Sequence, residues 1–199
     1  MLKKYTCLLH FLISLFVSKN TFAQQLKKGD LAPTIVTQDC KGNNINLNEW
    51  KGQKIWVSFL RYAGCPVCNF RVHELLKNYD QIVKSGYKLI AIFESEQVVL
   101  NKYASDYNIP FTLIGNPDLN IYNDYKVEKS NGAIVKSTFS SNTFHAMKSG
   151  KKEFTEKIKR DGSLNRIPAD FLIDENGIIE TAFYGKTISS HLPLSNIIK

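Results

Sequence analysis

The chain has 199 residues, of which 43% are hydrophobic, and a formal net charge of +8 at pH 7. Its basic residues are scattered apart from one cluster between residues 148 and 160, and no basic stripe is interleaved with aromatic residues. This pattern argues against a nucleic-acid-binding protein. Of the four cysteines, Cys7 lies in the N-terminal apolar run. The other three, Cys40, Cys65 and Cys68, are too few for a scaffold stapled by disulfides, so a hydrophobic core has to hold the fold.

Residues 1–23 have the pattern of a secretory signal peptide. Lys3 and Lys4 give a positive start, residues 7–17 form an apolar run too short to span a bilayer, and Ala23 ends the segment with a small residue. Cleavage after Ala23 would remove three lysines and no acid, which lowers the net charge from +8 to +5 and leaves 176 of the 199 residues. An uncleaved membrane anchor is the alternative interpretation.

That length suits one domain, which we expect to comprise residues 24–199 and to have no membrane span after cleavage. We therefore expect an exported protein, either periplasmic or secreted. Export also makes disulfide chemistry permissible.

The first half of this domain predicts a hairpin followed by alternating strands and helices. The alternation comes from short apolar runs, typical of buried strands, between segments with apolar residues at helical spacing. In chain order, the predicted elements are a hairpin (34–52), a central strand (54–60), a helix (66–84), a second strand (87–93), a helix capped by Ser95 (95–108), a third strand (109–115) and a short helix (117–127).

The second half begins with a polar insertion, residues 128–166, which we expect to lie over one face and to be helical in part from 144 to 158. Residues 169–174 and 178–185 predict two strands joined by a tight Asn-Gly turn, and a short helix follows Pro193. Alternating strands and helices imply parallel pairing with right-handed crossovers, whereas the closing hairpin adds antiparallel strands. The predicted fold class is α/β, with a central mixed sheet flanked by helices, an N-terminal hairpin and an insertion before the last hairpin.

The motif CPVC, residues 65–68, stands where a predicted strand gives way to a helix. Pro66 suits the first helical position because it lacks an N–H group that would be unpaired there. This places Cys65 at the N-cap and Cys68 one turn into the helix. Unpaired N–H groups and the helix dipole favour an anion at that end. We therefore expect Cys65 to be an exposed thiol with a lowered pKa and raised reactivity.

Three chemistries fit one close cysteine pair: a redox-active dithiol, half of a zinc site, or a structural disulfide. Zinc needs four ligands and usually two such pairs, and a disulfide that closes so short a loop constrains the unfolded chain little. Arg61 and Arg71 flank the motif and are expected to add a positive field. The sequence favours redox chemistry without a metal or other cofactor. The alternative is a binding or scaffold protein with an inert disulfide or a metal-bound pair.

Pro168 precedes a predicted strand, a position where proline is allowed. Two interpretations stay open for it. It is an ordinary proline at the start of a strand, or it is a cis-proline that presents a flat backbone edge, without an N–H group, to a docking partner.

Four segments of this chain, "KGDLAP", "KIWVSFLRYAGCPVC", "NIPFTLIGNPDLNIYNDYKV" and "IPADFLIDENGIIETAFYGKTISSHLP", occur in the order found in thioredoxin-fold redox proteins. The chain most resembles the peroxiredoxin-like branch of the alkyl hydroperoxide reductase/thiol-specific antioxidant (AhpC/TSA) family. The resemblance runs from about Lys28 to Pro193 except for the insertion. It implies a single thioredoxin-like domain, a redox cysteine at a helix start and a cis-proline facing it, which here would be Cys65, Cys68 and Pro168.

The chain departs from the family pattern at the motif itself. Peroxiredoxins resemble P-x-x-x-T-x-x-C, so Cys68 would align with the peroxidatic cysteine while Cys65 occupies the threonine position. Pro168 stands where the peroxidase arginine normally precedes the late strand, although Arg166 is near. These departures favour dithiol–disulfide exchange over peroxide reduction.

The two activities assign the nucleophile differently. Exchange would have Cys65 attack and Cys68 resolve, whereas peroxide reduction would have Cys68 attack and Cys65 resolve. The expected partners are protein or small-molecule disulfides and thiols, hydroperoxides, and a reducing partner protein.

Overall fold

The computed structural model describes residues 24–198, so the predicted signal peptide lies outside the described residues. In chain order the elements are β1 (Val36–Gln38), β2 (Asn44–Asn46), a 3₁₀ helix (Leu47–Trp50), β3 (Lys54–Phe59), α1 (Pro66–Lys77), α2 (Tyr79–Lys84), β4 (Tyr87–Phe93), α3 (Gln97–Asp106), β5 (Thr112–Gly115), α4 (Asn120–Asp124), α5 (Asn131–Thr138), α6 (Ser141–Glu153), β6 (Ala169–Ile173), β7 (Ile179–Tyr184) and a second 3₁₀ helix (Leu194–Asn196). Over residues 24–198, every helix is too short or too polar to cross a bilayer.

The main sheet has five strands in the order β5-β4-β3-β6-β7. β3 pairs in parallel with β4, and β4 pairs in parallel with β5, because helices α1 to α3 supply the crossovers. β6 and β7 run antiparallel, and β6 pairs antiparallel with β3 on its other side. β1 and β2 form a separate antiparallel hairpin. The mixed sheet, the central position of the 54–60 strand and both hairpins confirm the predictions.

Side chains of β3 alternate between two hydrophobic clusters, one on each face of the sheet. Ile55, Val57 and Phe59 belong to the cluster that includes Tyr122 of α4, whereas Trp56 belongs to the cluster that includes residues of α1 and α3. A strand buried on both faces needs an almost continuous apolar run, as residues 54–60 have. The loop that follows β3 and carries the cysteine motif is thereby held against a rigid sheet.

Two boundaries differ from the prediction. The helix expected over residues 66–84 is interrupted at Asn78, whose backbone (φ −111°, ψ 11°) caps α1 and starts α2. Ser95 does not cap α3, whose N-cap is Glu96 without a side-chain hydrogen bond. The Ser95 hydroxyl instead accepts from Ala63 N–H (2.9 Å) and donates to Asp161 (2.8 Å). A tertiary partner has therefore displaced the local cap.

The insertion covers one face, as predicted, and is more helical than predicted near its start. It forms α5 and α6, and residues 154–165, here called the strap, continue without helix or strand. α6 packs along α1, where a Cβ atom built on Gly150 would lie 1.8 Å from Pro66 O. Only glycine permits this approach of the two backbones, so the insertion is seated directly on the helix that carries the cysteines.

The helix contact at Gly150 yields a stability prediction. We expect Gly150→Ala to lower the free energy of unfolding by about 1–3 kcal/mol, because the new methyl group meets backbone atoms that cannot turn away. Intrinsic helix propensity alone would raise it by about 1 kcal/mol, so the sign of the change identifies the packing effect. Urea unfolding followed by circular dichroism measures it.

Gly132→Ala in α5 is the matched control, because its Cβ atom would have only Ser130 Oγ nearby, at 3.9 Å. We expect this variant to be neutral or slightly stabilising. Equal behaviour of the two variants would contradict close packing of α6 on α1.

Candidate active site

The cysteine motif forms the N-terminus of α1. Cys65 is the N-cap residue with extended backbone angles, and Pro66 occupies the first helical turn. The Cys65 sulfur accepts a hydrogen bond from the Cys68 N–H group at 3.3 Å. The predicted cap, strand-to-helix junction and role of Pro66 are therefore confirmed.

Arg61 contacts both cysteines from the loop that follows β3. Its Nη2 group donates to Cys65 Sγ at 2.8 Å, and its backbone N–H donates to Cys68 Sγ at 3.4 Å. Its Nη1 group donates to Leu164 O at 2.8 Å. The Arg61 side chain is buried, and no carboxylate within residues 24–198 lies within 4.0 Å of it.

The counter-charge of this arginine therefore comes from sulfur. Burial by itself lowers the pKa of Arg61, but the negative charge on Cys68 and Cys65 raises it above the ordinary value, so the guanidinium stays charged. A positive charge held this way favours a thiolate in the pair.

The lower pKa belongs to Cys68. Burial opposes its ionisation, but the hydrogen bond from Cys65, the charge of Arg61 and the hydrogen bonds from Arg61 lower the pKa of Cys68 to about 5. For Cys65, burial, the hydrogen bond to Cys68 and the negative charge there raise the pKa well above its ordinary value, against the smaller effect of Arg61. Because the guanidinium lies against Cys65 Sγ as well, the pair shares one negative charge, with the proton on the Cys65 side.

The expectation of an exposed Cys65 with a lowered pKa was therefore wrong. Cys65 is 1% exposed and Cys68 is 3% exposed. The helix terminus acts on Cys65 as expected, but burial and the neighbouring thiolate outweigh it. Their effect depends on the loop before the motif and on the strap, which local spacing does not reveal.

The strap closes the site from above. A Cβ atom on Gly64 would lie 2.4 Å from Ile158 O, so the strap backbone rests directly on the residue before the motif. Ser163 N–H donates to Glu94, and Ser95 donates to Asp161. These contacts bury the sulfurs beneath the strap, beside a guanidinium rather than in hydrocarbon alone.

Arg71, the other predicted source of positive field, lies elsewhere. Its guanidinium stacks 5.3 Å from the ring centre of Trp56, donates to Leu192 O at 2.8 Å and lies 4.0 Å from Asp170. Asp170 also accepts from His191 Nδ1 at 3.0 Å. Burial opposes ionisation of Asp170, but His191 and Arg71 lower its pKa below the ordinary range. Arg71 thus joins the C-terminal segment to the sheet and does not contact the sulfurs.

Pro168 is buried directly before β6, but it is not a cis-proline, because no peptide bond between residues 24 and 198 is cis. Its carbonyl accepts from Gly185 N–H at 2.8 Å, which extends the β6–β7 ladder by one bond. Pro168 therefore continues an extended strand, and the cis geometry that the family resemblance implied is a wrong prediction here.

Arg166 and Glu94 form a buried ion pair beside the site, a pairing that the sequence did not predict. Arg166 Nε donates to Glu94 Oε1 at 2.5 Å, and its guanidinium lies 4.9 Å from the ring centre of Tyr122. The Tyr122 hydroxyl donates to Leu60 O at 2.6 Å, next to Arg61. An acid directly after the apolar strand run 87–93 was the available signal for Glu94, whereas its partner comes from the far end of the insertion.

Cys65 and Cys68 are free thiols in the structure, as is Cys40, which is buried near the turn between β1 and β2. Between residues 24 and 198, no three or more His, Cys, Asp or Glu side chains are grouped to hold a metal ion. The arrangement combines one stabilised thiolate, a second thiol beside it and a fixed cation, which are the requirements for two-electron sulfur chemistry.

Comparison with known proteins finds a family model that covers most of this chain. Residues 28–182 match the family model described as AhpC/TSA family. Peroxiredoxin Bcp of Escherichia coli (strain K12) is 29% identical over 166 residues, covering 83% of this chain and 90% of that protein.

Solved structures are similar in fold. Peroxidoxin BcpB from Mycobacterium tuberculosis has a TM-score of 0.61 at 11% identity, covering 83% of this chain and 90% of that one. The reduced 2-Cys peroxiredoxin of Plasmodium vivax has a TM-score of 0.58 at 16% identity, covering 86% and 78%. Together with the observed sheet, these similarities confirm the predicted thioredoxin-like fold.

The electrostatics of the pair yield a pH prediction. Because the pKa of Cys68 is about 5 in the folded chain and a free thiol titrates near about 8.5, folding is favoured by the thiolate. This contribution is complete above the unfolded pKa and is lost as pH falls through about 5. Ultraviolet thiolate absorbance of the reduced protein should therefore rise near pH 5, and Arg61→Met should move the rise upward by about 1 to 3 pH units.

Arg71→Met is the matched control, since it removes an equally buried guanidinium that does not contact the sulfurs. Its thiolate titration should stay near that of the unmodified protein. If both arginine variants titrate alike, Arg61 is not the group that holds the thiolate.

Proposed function

The chain belongs to the AhpC/TSA family, and from this membership we propose that it is a thiol peroxidase in which Cys68 attacks a hydroperoxide and Cys65 resolves the product. The protein is a thiol-dependent oxidoreductase of the family that includes peroxiredoxins. The observation that supports peroxide as the substrate is the setting of Cys68, whose sulfur accepts a hydrogen bond from Arg61 N–H at 3.4 Å beside a buried guanidinium. This setting lowers the pKa of Cys68, and the attacking group in sulfur chemistry is the thiolate.

Access to the site supports the same choice. Both sulfurs lie beneath the strap with almost no exposed surface, so a protein disulfide cannot reach them while the strap is closed. Hydrogen peroxide is little larger than a water molecule and needs far less room. The relative Peroxiredoxin Bcp is named for the same chemistry.

The proposed reaction has two steps. The Cys68 thiolate attacks one peroxide oxygen, the O–O bond breaks, and with one proton from solvent the products are a sulfenic acid on Cys68 and an alcohol or water. The Cys65 thiol then attacks the Cys68 sulfur, water leaves, and a 65–68 disulfide forms. Arg61, fixed by Leu164 O and the sulfurs, is the donor that holds the thiolate. An external thiol reductant returns two electrons to close the cycle.

Disulfide exchange is the second candidate, and one observation favours it. Cys65 accepts hydrogen bonds from both Cys68 N–H and Arg61 Nη2, which are the donors that would stabilise a thiolate at the N-cap. In that reaction Cys65 would attack a partner disulfide and Cys68 would release the partner. It requires the strap to move before the first step rather than after it.

We also propose that the protein acts outside the cytoplasm, as a periplasmic or secreted enzyme. The support is the pattern of residues 1–23, with its lysines at the start, its short apolar run and its small residue at position 23. An enzyme at that location would draw on an exported thiol reductant.

Serine variants test the assignment of the two thiols. We expect Cys68→Ser to lower peroxide consumption by at least about a thousandfold, because it removes the nucleophile. Cys65→Ser should reduce about one equivalent of peroxide and then stop, with one added oxygen on Cys68 visible by mass spectrometry. Cys40→Ser is the control and should cycle normally, since Cys40 lies apart from the pair.

Exchange predicts the reverse pattern. With a disulfide substrate in place of peroxide, Cys68→Ser would trap a mixed disulfide on Cys65. A trapped adduct there, together with wild-type protein that does not consume peroxide, would reject the peroxidase proposal in favour of exchange.

Export is tested by N-terminal sequencing of the protein made in a Gram-negative host and recovered from the periplasm. The expected first residue is Gln24. A variant that lacks residues 2–23 should stay in the cytoplasm. Recovery of the full-length protein with an intact leader would contradict cleavage.

A further inference from the structure

Arg61 connects the redox pair to the strap through a single side chain. One terminal nitrogen donates to Cys65 Sγ and the other donates to Leu164 O, a strap carbonyl. Its Nε atom is buried and has no hydrogen-bond partner in the described structure. The guanidinium therefore has few alternatives if either of its two partners is lost.

Oxidation of the pair removes one of those partners. The reduced pair carries one negative charge, whereas the 65–68 disulfide carries none and is a weak acceptor. Arg61 would then be a buried cation without a counter-charge, which is among the most unfavourable states for a protein interior. Contact with water would lower the free energy of the unpaired guanidinium. The strap lies between Arg61 and solvent, so it has to move for this contact to form.

We propose that Arg61 latches the strap according to the redox state of the pair: the strap is closed over the reduced thiols and opens when the 65–68 disulfide forms. This inference rests on the proposed peroxidase reaction, which produces the disulfide from the Cys68 thiolate, the Cys65 thiol, one hydroperoxide and one proton, with an alcohol or water and a further water as products. The strap opens as a consequence of that product and consumes no further reactant.

The middle of the strap is the part of the cover with the fewest contacts. It has no helix or strand, and its Lys157, Lys159 and Arg160 side chains are exposed. The ends of the strap are held by the buried ring of Phe154 and by hydrogen bonds at Glu156 and Asn165, whereas its middle is held by hydrogen bonds at Glu94 and Ser95 and by the backbone contact at Gly64. α6 before it is fixed by close packing on α1, so opening is confined to residues 154–165.

Opening would give a protein reductant access to the disulfide. In the closed state the two sulfurs are 1% and 3% exposed, which excludes the thiol of such a partner. With the strap displaced, the oxidised site would present the disulfide to it.

Limited trypsin digestion of the purified protein tests the latch, because the strap carries three exposed cleavage sites. Samples are reduced with dithiothreitol or oxidised with one equivalent of hydrogen peroxide after removal of the reductant. Mass spectrometry then measures cleavage after Lys157, Lys159 and Arg160 relative to cleavage after Lys51, an exposed site in the turn before β3. We expect strap cleavage in the oxidised protein to be faster by about tenfold or more, the effect of losing one charge-assisted hydrogen bond.

Two variants separate the latch from general loosening. Arg61→Met should give the same strap cleavage in both redox states, whereas Arg71→Met, the matched loss of a buried guanidinium, should keep the redox difference. Gly64→Ala should cleave fast in both states, because its methyl group meets Ile158 O at 2.4 Å and lifts the strap sterically.

Thiol alkylation of the same samples distinguishes failure of the latch from failure of the proposed function. If the 65–68 disulfide forms and strap cleavage is unchanged or slower, the latch is wrong while the peroxidase proposal stands. If peroxide produces no 65–68 disulfide, the peroxidase proposal fails and the latch fails with it. A redox difference that survives Arg61→Met would assign strap opening to another group and overturn the role of Arg61.

Discussion

The guanidinium of Arg61 lies in the protein interior, and its counter-charge is a pair of sulfur atoms rather than a carboxylate. The position of the thiolate follows from this one constraint, because a buried cation stabilises an anion beside it and disfavours its loss. The N-terminus of α1 contributes a further N–H group to the same pair. The strap contacts the same guanidinium through Leu164 O. The thiolate and the segment that covers it are therefore both held by one side chain.

The sheet explains why these groups meet. The carboxyl ends of parallel strands lie at one edge, and residues that follow β3 and β4 therefore converge there. Glu94 N–H donates to Arg61 O at 2.7 Å, which ties the two loops to each other. Glu94 then pairs with Arg166 at the far end of the insertion. This buried ion pair holds the end of the insertion, which is distant in sequence, close to the cysteine motif.

Periodicity and turn chemistry were sufficient to predict the strands, the hairpins and the cysteine motif at a helix start, because these depend on neighbours a few residues away. The charge state of the pair was not predictable in this way. It depends on where the long Arg61 side chain points and on burial by a strap that begins about 90 residues later in the chain. Ser95 was misassigned for the same reason, because a tertiary hydrogen bond replaces its local interpretation as a cap. Of the two interpretations left open for Pro168, the structure shows the ordinary proline at the start of a strand.

The packing of α6 on α1 affects how easily another molecule can bind at the sulfurs. Gly150 fixes one end of the strap, and the Arg166–Glu94 pair fixes the other, so the strap is tethered at both ends over its own binding surface. A segment tethered in this way has an effective concentration on the order of millimolar, and loops of this length close within roughly 10–100 ns. A protein that approaches the reduced sulfurs therefore competes with the tethered strap, and its residence time there depends on how much more tightly it binds than the strap does.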